Sequence, residues 1–311
     1  MAYTSPPHST LFRDTSALSA HRFLVRFAQS LINAFLWVFI FAYFTQAESV
    51  SNALIRTLFL YALAQTITML VVPFAMRRLR GGMLAGLIGG TLLLSAALLY
   101  AGAVVSGLFP GGTAMLGILL GAYRALYRVP YVLENAAAGT HKVRFGAELL
   151  LALAPLLGAL FLTIGGEAGE LCSLAAFFVA VALAPLMFVP NVHEKFSWGY
   201  RETFGHFAAA ENRKILIASV GRGALGSLLY LVLPITVLFA TRSYLAVGAV
   251  FSTVLLCLFL FRFSQRRVLT EEHADAGRYL DEYTALKEMG LAFGRLALCA
   301  LLLVVFSPLV F

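Results

Sequence analysis

The sequence predicts an all-α fold: a polytopic transmembrane helical bundle of about nine spans. Three observations carry that expectation. Of the 311 residues, 60% are hydrophobic and only 12% charged, against about 25% charged in an ordinary soluble domain. Apolar blocks recur along the whole chain, each near the ~20 residues that cross about 30 Å of hydrocarbon. Lys and Arg collect in alternate connections between those blocks. A soluble sphere of this size lacks the interior for so much apolar side chain. Disordered, collagen-like and small disulfide-scaffold classes are excluded on the same grounds.

The elements follow in order. Residues 1–22 are polar, contain Pro6, Pro7, Arg13 and Arg22, and form the expected cytoplasmic N-terminal segment. The apolar run after them is too long for a signal-peptide core and long enough to span. It is expected to stay attached as the first transmembrane helix, near 23–46. Further blocks lie near 53–76, 83–108, 113–134, 145–165, 171–190, 215–240, 243–263 and 288–311. Phe109-Pro110-Gly111-Gly112 marks a tight turn between the third and fourth. The short turn from Thr241 to Tyr244 divides the seventh from the eighth.

The longest connection, 191–214, carries Phe196, Trp198, Tyr200, Phe204 and Phe207 among charged residues. It reads as a cytoplasmic amphipathic linker lying in the membrane interface. It divides a six-helix N-terminal bundle, 23–190, from a partial C-terminal bundle, 215–311. A second charged stretch, Gln265 to Lys287, reads as a solvated helix at the membrane surface.

Orientation follows from the cations. With the N-terminus in the cytoplasm, the inner segments hold Arg13, Arg22, Arg77, Arg78, Arg80, Lys142, Arg144, Lys195, Arg201, Arg213, Lys214, Arg266, Arg267, Arg278 and Lys287. The outer turns 47–52, 109–112, 165–170 and 241–244 hold only Arg242. That asymmetry fixes the orientation by the positive-inside rule, and nine spans then place residue 311 outside. The net charge of +8 does not point to nucleic acid, because the cations form no single basic domain. Cys172, Cys257 and Cys299 all fall in apolar blocks, which suits packing and gives no disulfide framework. Gly82, Gly86 and Gly90, and again Gly117 and Gly121, have the spacing at which membrane helices pack closely.

Six spans, a longer cytoplasmic connection and a second set of spans form the layout of a known family, and local stretches add to it. The connection after span two reads Pro73-Phe74-Ala75-Met76-Arg77-Arg78-Leu79-Arg80-Gly81-Gly82. Span four reads Gly121-Ala122-Tyr123-Arg124-Ala125-Leu126-Tyr127-Arg128-Val129-Pro130-Tyr131. Span five carries Ala154-Pro155-Leu156-Leu157-Gly158, and the linker carries Glu194 to Phe204. Over roughly residues 20–240 the chain resembles the major facilitator superfamily of transporters, in a bacterial form. The basic turn lacks the Gly and Asp that the family places just ahead of it. The family has twelve helices where this chain offers nine, and the stretch from Lys287 to Arg295 is similar to the approach to the eleventh. The resemblance implies a shortened second half, by internal loss or an incomplete reading frame. It also implies that the first, second, fourth and fifth helices line the N-terminal side of a solute path.

Span four carries the chemistry. Arg124 falls near the bilayer centre, where a charge costs about 2.5–3.5 kcal/mol and must face protein or water. Arg124, Tyr127, Arg128, Tyr131 and Asn135 share an arc of roughly 100° on a helical projection. Two readings stand. The stripe is a cavity wall whose guanidinium groups receive an anion; or Arg128 pairs with Glu148 or Glu134 while Arg124 bonds carbonyls of a broken helix. Arg222 and Arg295, in the inner halves of their spans, either complete a positive path or snorkel to headgroups. Gln29 and Asn33 form a polar face or an interhelical hydrogen-bonding pair. Arg26 and Arg56 read as snorkelling anchors. Glu48, Glu134, Glu148 and Glu288 lie near span ends, and no His falls well inside a span, which disfavours a midplane proton relay.

Gly221-Arg222-Gly223-Ala224-Leu225-Gly226 matches a dinucleotide-binding pattern but lies inside an apolar block, where helix packing explains it. No metal, hydrolase or cofactor motif is present. The expected protein is therefore a secondary transporter of the bacterial inner membrane, not an enzyme. It moves a small polar or anionic solute by alternating access, with Arg124, Tyr127, Arg128, Tyr131, Asn33 and Arg222 as solute-binding residues, and needs no cofactor or metal. Its other partner is the lipid bilayer, and its partial C-terminal half offers a face for a homo- or hetero-oligomer. The alternative is a non-transporting membrane scaffold or degenerate transporter remnant.

Overall fold

The computed structural model describes residues 8–79, 82–109, 112–137, 145–191, 196–265 and 280–306. Among them the regular structure is helical throughout. In order these are α1 (His8–Asn33), α2 (Leu36–Thr45), α3 (Val50–Arg78), α4 (Met83–Val105), α5 (Thr113–Ala137), α6 (Phe145–Thr163), α7 (Ala168–Val181), α8 (Leu183–Leu186), α9 (Tyr200–Ala208), α10 (Arg213–Ser227), α11 (Leu233–Thr241), α12 (Tyr244–Gln265) and α13 (Leu280–Phe306).

Eight helical stretches among the described residues are long and apolar enough to cross a membrane. The fourth apolar block, α5, has the length at 25 residues, but Tyr123, Arg124, Tyr127, Arg128 and Tyr131 dilute its apolar character. It is sheltered instead of greasy: α3 and α4 flank it and α13 crosses it. With α5 counted, the described residues hold the nine spans expected, and the chain is an integral membrane protein.

Around the outside, Phe59, Leu92, Leu99, Phe177, Ile217, Leu225, Phe261 and Leu301 are exposed. An apolar belt of this kind needs hydrocarbon against it. Inside, α1 lies against α6 and α7, α4 against α5 and α7, α12 against α6, and α13 against both α3 and α10. The glycine stripes set these distances. A side chain at Gly90 would collide with the backbone of Tyr127, and one at Gly121 with the Ala64 carbonyl and Ile67. Gly223, centre of the false nucleotide motif, sits on the backbone of Leu291, so that motif is a packing surface.

Several spans are interrupted. The first is two helices, α1 and α2, broken at Ala34 and Phe35, where the Phe35 N–H bonds back to Ile32 instead of one residue further. The helix begins at His8, upstream of the apolar run, and the apolar stretch able to span begins at Ser16. Part of segment 1–22, assigned from sequence to the cytoplasm, therefore belongs to the first helix. In the seventh span, Leu228–Val232 form a π-turn between α10 and α11. A π-turn holds one residue more than an α-turn and often marks functional sites. In α6 the Leu156 N–H, next to Pro155, donates to Ser252 Oγ on α12 at 3.0 Å. Such side-chain repair is how a proline is tolerated away from water.

Arg242 closes α11 with φ +54° and leads directly into α12, as the short turn required. The linker carries α9 and packs Phe196, Phe204 and Phe207 against Val72, Met76, Met83, Val129, Leu133 and Met289. It thereby seals one end of α3, α5 and α13. Ser197 Oγ donates to Glu282 Oε1 at 2.6 Å, tying the linker to α13. Within the stretch from Gln265 to Lys287, residues 266–279 lie outside the described residues; Leu280 onward already belongs to α13.

Candidate functional site

The α5 stripe meets α1 along a ladder of polar contacts. α1 packs on α6 and α7 and α5 on α3 and α4, which leaves tyrosines and short polar groups between α1 and α5. At the linker end, His21 Nε2 lies 3.0 Å from the Tyr127 hydroxyl, and His21 Nδ1 bonds the Ala182 carbonyl at 2.7 Å. Two turns higher, Gln29 Nε2 donates to the Tyr123 hydroxyl. Tyr127 and Tyr131 stack at 5.7 Å with nearly parallel rings, and Arg22 lies over the Tyr131 ring at 5.8 Å. Asn33 ends α1 one turn beyond Gln29 and is half-buried at the helix break.

The arginines differ from one another. Arg26 forms a two-bond pair with Glu148 on α6, at 2.5 and 2.8 Å. Glu148 therefore serves Arg26 and not Arg128, and Arg26 is a bridge between helices, not an anchor in headgroups. Arg56 pairs with Glu48 at 2.5 Å. Arg128 is exposed, with Glu288 on α13 and Tyr230 in the π-turn as electrostatic neighbours. Glu288 is 8% exposed and sits two turns inside α13, not at a span end.

Arg124 is half-buried, and its Nη1 has no hydrogen-bond partner. Its strongest charged neighbour is Arg295 of α13, followed by the hydroxyls of Tyr61 and Tyr123. Arg295 Nη1 in turn donates to Gln65 Oε1 on α3 at 3.1 Å. Among the described residues the Tyr131 hydroxyl is likewise a buried side-chain atom without a hydrogen-bond partner.

Of the residues singled out from sequence, Arg124, Tyr127, Arg128 and Tyr131 lie along one length of α5, and Asn33 stands apart at the end of α1. Arg222 does not join them. It is exposed beside Ala218, Gly221 and Leu225, off the face of α10 that buries Ser219, Gly223 and Ser227. The sequence reading passed over Tyr61, Gln65 and His21, and set Glu288 at a span end. Gln65 carried a usable signal, being a polar amide in the middle of the second apolar block. Among the described residues no group of three or more His, Cys, Asp or Glu is placed to hold a metal ion.

An arginine held inside a helical bundle with one nitrogen unsatisfied favours binding an anion, because the desolvated guanidinium gains a charge-assisted hydrogen bond when an oxyanion arrives. The surrounding tyrosines supply further hydroxyl donors. No family model matches the sequence, and no curated protein matches it either.

Proposed function

We propose that the protein is a secondary transporter of the major facilitator type that moves a small polar or anionic solute by alternating access. The observation that carries this reading is the buried, unpartnered Nη1 of Arg124 on a span otherwise sheltered by α3, α4 and α13. A purely structural arginine satisfies its nitrogens on carbonyls or carboxylates. This one is left to a ligand. Discontinuous spans support the reading: transporters place their sites where helices are broken. Here α1 breaks at Ala34 and Phe35, and the seventh span carries its π-turn next to Ser227.

The cation asymmetry of the sequence supports a cytoplasmic N-terminus and linker. The test is solute flux in proteoliposomes with a panel of small anions and neutral polar solutes. Arg124→Gln abolishes flux of the transported solute and still inserts. Unchanged flux in that variant removes the substrate role of α5.

A membrane scaffold is the second reading, and one observation favours it. In the first span 61% of the apolar window is buried, but in α12 only 22%. A partner subunit against α10–α13 would cover the difference, as lipid also would. Co-purification of a stoichiometric partner together with absent flux selects this reading.

A further inference from the structure

Three cations of the bundle have an acidic neighbour among the described residues. Arg26 has Glu148, Arg56 has Glu48, and Arg128 has Glu288 within electrostatic reach. Arg124 and Arg295 are different. They come from α5 and α13, which pack together and lie on opposite sides of the linker in sequence, and Arg295 is the leading charged neighbour of Arg124, ahead of Arg128. Among the described residues no carboxylate lies within ion-pairing distance of either. Gln65 Oε1 accepts from Arg295, Tyr61 and Tyr123 stand beside Arg124, and the further charge near Arg124 is the cation Arg128.

Gln65 is fully buried, and the Tyr61 hydroxyl is fixed to Ser227 Oγ of α10 at 2.9 Å. The rim of the pair is therefore built from four helices, α3, α5, α10 and α13, and the Arg124 Nη1 inside it is unused. Two like charges drawn together away from bulk water repel with little screening. Such an arrangement persists when a counter-charge occupies it.

We infer that Arg124 and Arg295 form one oxyanion-binding clamp, with Gln65 orienting Arg295 and the Tyr61 hydroxyl on its rim, that takes a carboxylate or phosphate group between the two halves of the chain. The inference deepens the transport reading by naming the charge and the chemical class of the solute, and it assigns to Arg295 a role that the α5 stripe alone does not give it. Two guanidinium groups favour a doubly charged group over a singly charged one. Because the clamp joins α5 to α13, a bound anion also draws the two halves together, and its departure lets the repulsion separate them.

The experiment is ligand-dependent thermal stability of the purified full chain in detergent. Probes are inorganic phosphate, succinate and acetate, with chloride at matched ionic strength as control. A separate arm adds phosphatidylglycerol or phosphatidylcholine, which distinguishes a lipid phosphate from a free anion. Phosphate, succinate or the anionic lipid raises the melting temperature of the wild type above the chloride control, and acetate raises it less. Arg124→Gln and Arg295→Gln each weaken the apparent affinity by on the order of 10- to 100-fold. The double variant is no worse than either single one, because both act on the same anion.

Arg295→Gln in the absence of anion also melts higher than wild type, since the repulsion is gone. That readout does not depend on identifying the ligand. Equal melting of wild type and Arg295→Gln without anion, additive losses in the double variant, or no response to any oxyanion overturns the clamp. Anion-dependent stabilisation without flux in vesicles upholds the clamp and overturns the transport reading. Flux that survives Arg295→Gln unchanged upholds transport and overturns the clamp.

Discussion

His21 and Tyr127 meet across α1 and α5, with imidazole Nε2 3.0 Å from the phenol oxygen. The other ring nitrogen faces the Ala182 carbonyl, which can only accept. In the neutral ring, Nδ1 therefore carries the proton and Nε2 accepts from Tyr127. One buried side chain thus fastens α1 to α5 and to the end of α7.

Removing the phenol hydroxyl isolates this geometry. Tyr127→Phe leaves a fully buried Nε2 unpaired, at a cost of about 1–3 kcal/mol. The measurement is melting temperature in detergent, with His21→Ala and the double variant completing the cycle. The two single losses should not add, since each removes the same bond. Additive losses would mean that the pair is not coupled.

Arg26 and Glu148 bridge α1 and α6 with two bonds, and their side chains are 35% and 22% exposed. Hydrogen bonds between charged groups contribute about 1.5–3 kcal/mol each way when partly shielded, and less as water reaches them. Glu148→Gln should lower the melting temperature, and the swapped pair Arg26→Glu with Glu148→Arg should recover part of it. No recovery in the swap would show that the carboxylate acts elsewhere.

Glycine substitutions separate packing from spacing. Gly121→Val should destabilise by about 1–3 kcal/mol or more, because the added carbons meet the Ala64 carbonyl and Ile67. Gly89→Ala points into open space and should change stability by less than about 0.5 kcal/mol. Similar losses at both sites would argue for a general intolerance of α4 and α5 to change.

Topology is checked by labelling. A cysteine at Leu108, which is 71% exposed in the turn after α4, should react with an impermeant thiol reagent from outside intact cells. A cysteine at Arg77 should not, until the membrane is opened. The reverse pattern inverts every assignment of inner and outer face.

Much of the architecture was legible because lipid imposes a simple demand: about 20 apolar residues, then a polar break. The blocks at 83–108 and 145–165 match α4 and α6 closely for that reason. The break within the first span was not legible. Ala34 and Phe35 are apolar, and the one polar neighbour, Asn33, does not by itself distinguish a bent helix from a straight one. The α5 stripe was visible because charge in an apolar block has few explanations. Its partners were not. Arg26 and Glu148, or Arg295 and Gln65, are far apart in the chain, and only the packing of helices sets which cation meets which neighbour. Glu288 was placed at a span end from the start of the apolar run, whereas α13 begins earlier and carries it inside.

The widened turn at Leu228–Val232 keeps two demands compatible. Before it, Ser227 must reach Tyr61; after it, Ile235 must reach the interior. Deleting a single residue from that loop of backbone would return it to ordinary winding and rotate the rest of the span by about 100°. One of the two ends would then face acyl chains, so the surplus residue acts as a phase corrector between them.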